Sequence, residues 1–393
     1  MNTTAIIAEY NPFHNGHLYQ LRKIKQDLKS DYIISIISGN FSQRGTPCIV
    51  DKFLRTQMAL VAGVDLVIEL PAIYASSSAE FFARGAISIL DKSHIIDTLC
   101  FGAELPDVSL LDSISKLLLA EPVYYKDILS KKLRSGMSYA VARSASICEY
   151  LNDNSLIDFL KLPNNILGIE YYKALNYYSS PIMPYPIQRA VANYHDQNIY
   201  SKFASASAIR NAISIGDDIK NVMPEQCGNL LMQNINNINI NMLLDFLRFK
   251  LLTVPKEKIY STWDVPSNLI NTLYKVINNN SEYTGIVKSL TSKTFSTATV
   301  YRSLLRIILG VNEDFNCDYI RVLGVRQGSM PLLNLLCKNS DIPIIVNVNK
   351  DVQHLNKECR YSFEKDLLAT NLYNLIIGMP NAKNDYATKL IKN

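Results

Sequence analysis

Four short apolar runs punctuate the first hundred residues, at 5–8, 32–37, 64–68 and 98–102. Segments with apolar residues at helical spacing lie between them. The second run, Tyr32-Ile33-Ile34-Ser35-Ile36-Ile37, is rich in β-branched residues and ends at Gly39, as a buried strand does. Residues 18–28 and 79–90 read as helices. A third helix opens at Asp51 and stops at Gly63, where glycine accepts a left-handed cap. Strand and helix in strict turn predict an α/β chain, a doubly wound, Rossmann-like parallel sheet with helices on both faces. Such a sheet binds its ligands beyond the carboxyl ends of its strands, near the switch point.

The remainder is read more coarsely. Residues 108–150 are mostly helical, Pro163-Asn164-Asn165 opens a helix over 166–177, and 181–189 is extended despite three prolines. Ser205-Ala206-Ser207 caps a helix beginning at Ala208. The Asn-rich stretch 234–241 sets a boundary between a catalytic domain, 1–240, and an added mixed α/β domain, 241–393. In the second part a helix is expected at 297–309, with strands at 319–323 and 342–348 around a helix at 331–337.

Composition narrows the class. The chain is 48% hydrophobic and 19% charged, which supports a sizeable core and excludes wholesale disorder. No apolar run approaches the roughly 20 residues that cross a bilayer, so no membrane partner is expected. The first residues carry no basic stretch or cleavage pattern, and read as a strand rather than a secretory leader. Seven scattered cysteines, with no Cys-x-x-Cys pair, point to a reducing cytoplasm rather than to disulfides or zinc. From residue 241 onward there are 19 Lys+Arg against 13 Asp+Glu, an excess of +6, whereas the first 240 residues balance at −1. A neutral body with a basic second part suits a polyanionic partner, and a solvated basic face is the alternative.

Chemistry concentrates between the first strand and first helix, in Glu9-Tyr10-Asn11-Pro12-Phe13-His14-Asn15-Gly16-His17. A helix beginning there offers free backbone N–H groups and the positive end of its dipole to phosphate. Gly16 lets a base or ribose approach the backbone closely, and Pro12 stiffens the turn. Two imidazoles three positions apart can donate to oxygens that gain charge when an α-phosphorus is attacked. His-x-x-His also suits zinc, but that needs a third ligand, and His94, His195 and His354 belong to no ligand-like cluster. No metal site is therefore expected, and since neither G-x-G-x-x-G nor a Walker motif is present, neither a Rossmann dinucleotide site nor a Walker phosphate loop is supported.

His14-Asn15-Gly16-His17 resembles the His-x-Gly-His signature of the nucleotidyltransferase superfamily. With Gly39-Asn40-Phe41-Ser42-Gln43-Arg44-Gly45, Phe101-Gly102-Ala103-Glu104, Asn164-Asn165-Ile166-Leu167-Gly168-Ile169-Glu170-Tyr171 and Arg321-Val322-Leu323-Gly324, the chain is similar to the bacterial tRNA-methionine cytidine acetate ligases. The resemblance implies an ATP-dependent ligase working in two steps. Acetate attacks the α-phosphorus of ATP to give acetyl-adenylate and pyrophosphate. N4 of the wobble cytidine of elongator tRNA-Met then takes the acetyl group and releases AMP. On chemical grounds His14 and His17 are the catalytic candidates, set against the α-phosphate and the leaving pyrophosphate. The implied ATP contacts are Ile7, Ala8, Glu9, Tyr10, Asn11, Pro12, Phe13, His14, Asn15, Gly16, His17, Leu18, Tyr19, Gln20, Gly102, Asn164 and Arg189, with Asn165 an alternative to its neighbour.

Physical roles follow for the others. Arg189 suits a bidentate phosphate pair. Ser207 and Arg210, at a Ser-rich helix start, are phosphate-binding candidates, or else a plain cap with a surface arginine. Ser42, Gln43 and Arg44 form a polar loop that either touches the tRNA or covers the site. Mg²⁺ is expected to accompany ATP, held by the phosphates. Lys256, Lys258, Arg302, Arg306, Arg321, Arg326, Lys350, Lys357 and Arg360 are candidate contacts to the tRNA backbone. Two other functions fit the same loop: a nucleotidyltransferase for a small cofactor precursor, and a non-catalytic RNA-binding protein.

Overall fold

The computed structural model describes residues 1–189, 202–312, 319–382 and 384–393; His195 lies outside them. The four expected strands are present as β1 (Thr3–Ala8), β2 (Tyr32–Ser38), β3 (Leu66–Leu70) and β4 (Thr98–Ala103), joined by β5 (Met183–Gln188). Neighbouring strands in the order β5-β4-β1-β2-β3 are all parallel. The fold is thus α/β on a mainly parallel sheet, as expected. Ile33, Ile34, Ile36 and Ile37 of the central strand β2 are all 0% exposed. Alternate residues feed separate cores on the two faces, Ile34 and Ile36 one of them, Ile33 and Ile37 the other. Each such side chain contributes about 1.5–3 kcal/mol by leaving water.

Helices α1 (Asn15–Lys23) and α2 (Lys52–Val61) cover one face, with α2 capped as expected by Asp51, whose carboxylate accepts from Leu54 N at 2.8 Å. Helices α3 (Ala72–Ala75) and α4 (Ala79–Lys92) lie on the other, packed with the helix Pro163–Tyr178. β5 tolerates Pro184 and Pro186 because it is an edge strand. Two residues apart, both prolines turn their missing N–H to the same, unpaired side.

The second part departs from expectation. Its strands β6 (Ile320–Val325), β7 (Ile344–Ile345) and β8 (Ile391–Lys392) extend the first part's sheet, β6 running antiparallel beside β3. The expected strand at 342–348 is only two residues long, since a helix begins at Val348. Helices Met242–Thr253, Ser267–Val276, Tyr283–Leu290, Thr297–Leu309 and Lys357–Ile376 bury their apolar sides in the core that α4 shares. The boundary expected at 240/241 therefore separates helical layers, while the sheet runs through both. No helix among the described residues is long and apolar enough to cross a membrane.

Candidate active site

A cleft of about 360 Å³ opens at the carboxyl ends of β1, β2 and β4. Its floor is the loop from β1 into α1. Tyr10 takes a left-handed backbone (φ 49°), and the Asn11–Pro12 peptide is cis. His14 is the N-cap of α1, its Nδ1 accepting from Gly16 N at 3.0 Å. The backbone N–H of His14 donates in turn to His17 Nδ1 at 3.2 Å. This is a capping box built from two histidines, and it stacks their rings at a centroid distance of 3.9 Å. Burial pushes His14 down to about 3, helped by Arg189 and Arg210, and burial likewise drives His17 well below the usual imidazole range. Both rings are neutral at pH 7. With each Nδ1 accepting a hydrogen bond, the proton sits on Nε2, leaving one N–H donor per ring for a ligand. A Cβ on Gly16 would lie 2.8 Å from His14 Cε1. Gly16→Ala is therefore expected to displace the imidazole and lower turnover by about tenfold or more, with the thermal midpoint largely kept; steady-state kinetics and a melting curve check this.

Three guanidiniums line the cleft, and two of them, Arg189 and Arg210, act on the histidines. Arg210 donates to Asn11 O at 2.7 Å from a helix (Ala206–Ile215) capped by Ser205, whose Oγ accepts from Ala208 N at 3.1 Å. The expected cap is real, though the helix begins two residues earlier than read. Arg189, at the end of β5, donates to Asn164 Oδ1 at 3.0 Å. Glu104 orients that asparagine, accepting from its Nδ2 at 2.6 Å. A Cβ on Gly102 would stand 3.1 Å from Arg189 Cγ, so the glycine lets the arginine lie against β4. Arg44 reaches the cleft from the loop after β2, with Ser42 and Gln43. Burial holds Arg189 and Arg210 below the ordinary guanidinium range. Three guanidiniums against the single carboxylate of Glu9 leave the described lining positive, as a polyphosphate requires.

Most expected site residues meet here: Ile7, Ala8, Glu9, Tyr10, Asn11, His14, Gly16, His17, Tyr19, Gln20, Gly102, Asn164, Arg189, Ser207 and Arg210 all line the cleft. Four stand behind it. Pro12, Phe13 and Asn15 are buried beneath the loop, and Asn15 Nδ2 holds Lys202 O and Asn221 O, each at 2.9 Å. Leu18 packs on the core. Asn164 faces the cleft, whereas Asn165 is fully buried and bonded to Leu105. The cap of that helix is Leu162, not an asparagine. Leu167 and Tyr171 also line the cleft, and their spacing from Asn164 on one helix face was the available signal. Among the described residues no group of three or more His, Cys, Asp or Glu could hold a metal. His94 instead pairs with Asp341.

Two of the basic residues read as RNA contacts are excluded by burial. Arg306 is 0% exposed, donating to Trp263 O, Ile73 O and Ser76 O, and Arg321 is 3% exposed beside Asp385. Each supplies the charge that its own buried acceptors need. Lys256, Lys258, Lys350, Lys357 and Arg360 remain exposed.

A positive cleft floored by two neutral imidazoles at the first strand-to-helix turn belongs to an enzyme that handles a nucleoside triphosphate, a nucleotidyltransferase. The sequence model described as HIGH Nucleotidyl Transferase matches residues 1–388. The chain belongs to this family, in its branch of tRNA(Met) cytidine acetate ligases. The ligase of that name from Clostridium novyi (strain NT) is 39% identical over 406 residues, covering 100% of this chain and 99% of the relative. That from Thermoanaerobacter sp. (strain X514) is 38% identical over 394 residues, covering 95% of each. Among solved structures, Thermotoga maritima TmcAL matches with a TM-score of 0.92 in its apo form and 0.91 bound with α-thio ATP, at 28% and 27% identity and full coverage of both chains.

Proposed function

We propose that the chain is an ATP-dependent acetate ligase that forms N4-acetylcytidine at the wobble position of elongator tRNA-Met through an acetyl-adenylate. The observation that carries this is the pair of neutral, Nε2-protonated imidazoles beneath Arg189 and Arg210, in a fold shared with an ATP-analogue-bound relative. Acetate arrives as a nucleophile, so the first step needs no protein base. One acetate oxygen bonds to the α-phosphorus, and the bond to the bridging oxygen breaks. His14 and His17 donate to the oxygens that gain charge, while Arg189, Arg210 and Ser207 hold the phosphate chain. Donors fixed by a helix cap and by Asn164 need little reorganisation as charge develops. Among the described residues the cleft offers no carboxylate cluster for a metal, so Mg²⁺ would ride on the triphosphate oxygens themselves. N4 of cytidine then attacks the acetyl carbon and AMP leaves. The exposed Lys256, Lys258, Lys350, Lys357 and Arg360 are offered as the tRNA-backbone surface, and the reaction is placed in the cytoplasm with its substrates.

Acetate-dependent ATP–pyrophosphate exchange by the purified protein tests the reading. Exchange that requires acetate supports it. Exchange independent of acetate but dependent on a phosphorylated cofactor precursor favours the small-molecule nucleotidyltransferase. RNA binding without exchange under any condition, bulk tRNA included, favours the non-catalytic RNA binder.

A further inference from the structure

We infer that Glu9 is the catalytic base of the acetyl-transfer step and the group that recognises cytosine at the acceptor position. The inference rests on the ligase reading above. Glu9 is the one carboxylate among the described residues lining the cleft. Beside a triphosphate a carboxylate is repelled, so its presence calls for a ligand that offers N–H donors. Its side chain leans toward such a place. Oε1 accepts from the backbone N–H of Gln43 at 2.7 Å, in the loop that follows β2. Gly102, Asn164 and Arg189 gather instead at β4 and β5, on the opposite side of β1 in the strand order. The Glu9 carboxylate thus sits on the β2 flank of the first strand, away from Gly102, Asn164 and Arg189, with its charge also acting on Arg210.

Oε2 receives no hydrogen bond from any described residue. Tyr171 lines the same cleft, and burial, with the Glu9 charge adding to it, pushes its phenol above the usual range. Phe82 and Leu167 line the same cleft and supply apolar surface for a base to lie against. The histidines cannot serve as the base, because each Nδ1 is occupied and each Nε2 carries the proton. Among the described residues, that leaves Glu9 as the cleft's available proton acceptor.

The chemistry fits the amine. Cytosine presents its N4 amino group as a donor, which a carboxylate accepts, whereas uracil presents O4, which a carboxylate repels. When the N4 lone pair bonds to the acetyl carbon, the carbonyl pair moves onto oxygen and N4 surrenders one proton to Glu9 Oε2. The carbonyl re-forms, the bond to the AMP oxygen breaks with its electrons going to AMP, and the proton on Glu9 passes to water.

Glu9→Gln tests this, since its amide oxygen can still accept from Gln43 while the base is gone. Two readouts are taken on one preparation: acetate-dependent ATP–pyrophosphate exchange, which reports the first step, and single-turnover transfer of labelled acetyl to tRNA-Met. The expected result is a transfer rate at least about 100-fold lower, with exchange falling at least about tenfold less than transfer does. Transfer within about threefold of the parent, or an equal loss in both steps, would overturn the proposal. Should Glu9→Gln melt well below the parent, Glu9→Asp is put to the same split, with a smaller but still selective loss of transfer expected. A parent enzyme that shows neither step would instead refute the ligase reading itself, so the two failures are distinguishable.

Discussion

Replacing His14 and His17 together by alanine is expected to lower acetate-dependent pyrophosphate exchange by about 10³-fold or more. In the proposed mechanism each ring supplies one donor to an oxygen that gains charge as the α-phosphorus is attacked, and removing one such donor typically costs 10²–10³-fold, about 2.7–4 kcal/mol. The two losses need not multiply, because the rings are stacked and bonded through one capping box. His14 is also a helix cap, and losing a cap costs about 1 kcal/mol of stability. His14→Asn separates the roles: asparagine still caps, so its melting temperature should stay near that of the parent while exchange remains depressed. ATP affinity, which the proposed mechanism assigns mainly to Arg189 and Arg210, should change far less than the rate. Normal exchange in the double variant would remove the histidines from the chemistry.

Lys52→Met should be the most destabilising single change near the site. Lys52 is 0% exposed, with Nζ 2.7 and 2.8 Å from the Glu69 oxygens and 2.8 Å from Asp385 Oδ1. Burial opposes its charge, yet Asp385 and Glu69 outweigh that and hold its pKa above the ordinary lysine value. Removing the cation leaves Glu69 and Asp385 buried and facing each other, with Arg321, 3.6 Å from Asp385, as their counter-charge among the described residues. Breaking a buried ion pair from one side costs about 3–5 kcal/mol. Denaturant unfolding should show a lower midpoint, and Glu69→Gln added to Lys52→Met should restore part of the loss. The effect reaches the cleft, since Lys52 N donates to Asn40 Oδ1 at 2.7 Å and a Cβ on Gly39 would sit 2.7 Å from Glu69 Oε1. The network is the footing of the loop that carries Gln43 and Arg44.

These two predictions also mark what was readable in advance. His14 and His17 were legible because their chemistry lies within one strand-to-helix turn, where backbone N–H groups, glycine and imidazoles are consecutive in sequence. Ser205 and Arg210 were legible for the same reason, as a local cap signal. Glu104 carried no such signal, since it acts on Asn164 sixty residues away. Lys52 and Asp385 are farther apart still, 333 residues, and nothing local marks either as buried. Arg306 and Arg321 look like ordinary surface cations in sequence; only the packing of Thr297–Leu309 and β6 puts them inside. The four parallel strands announced themselves through apolar runs, whereas the joining of β6 to β3 depends on an antiparallel pairing between segments some 250 residues apart, which periodicity does not encode. Local patterns fix strands, helices and caps, but long-range pairing and buried charge appear only in three dimensions.

The most direct test of the central claim is incorporation of labelled acetate into an elongator tRNA-Met transcript, with ATP present or omitted and with cytidine or uridine at the wobble position. The predicted result is label that requires ATP, appears only with cytidine and is recovered as N4-acetylcytidine after digestion. Label that forms without ATP, or equally on the uridine transcript, would contradict the account, as would ATP consumption with no acetyl group on the RNA.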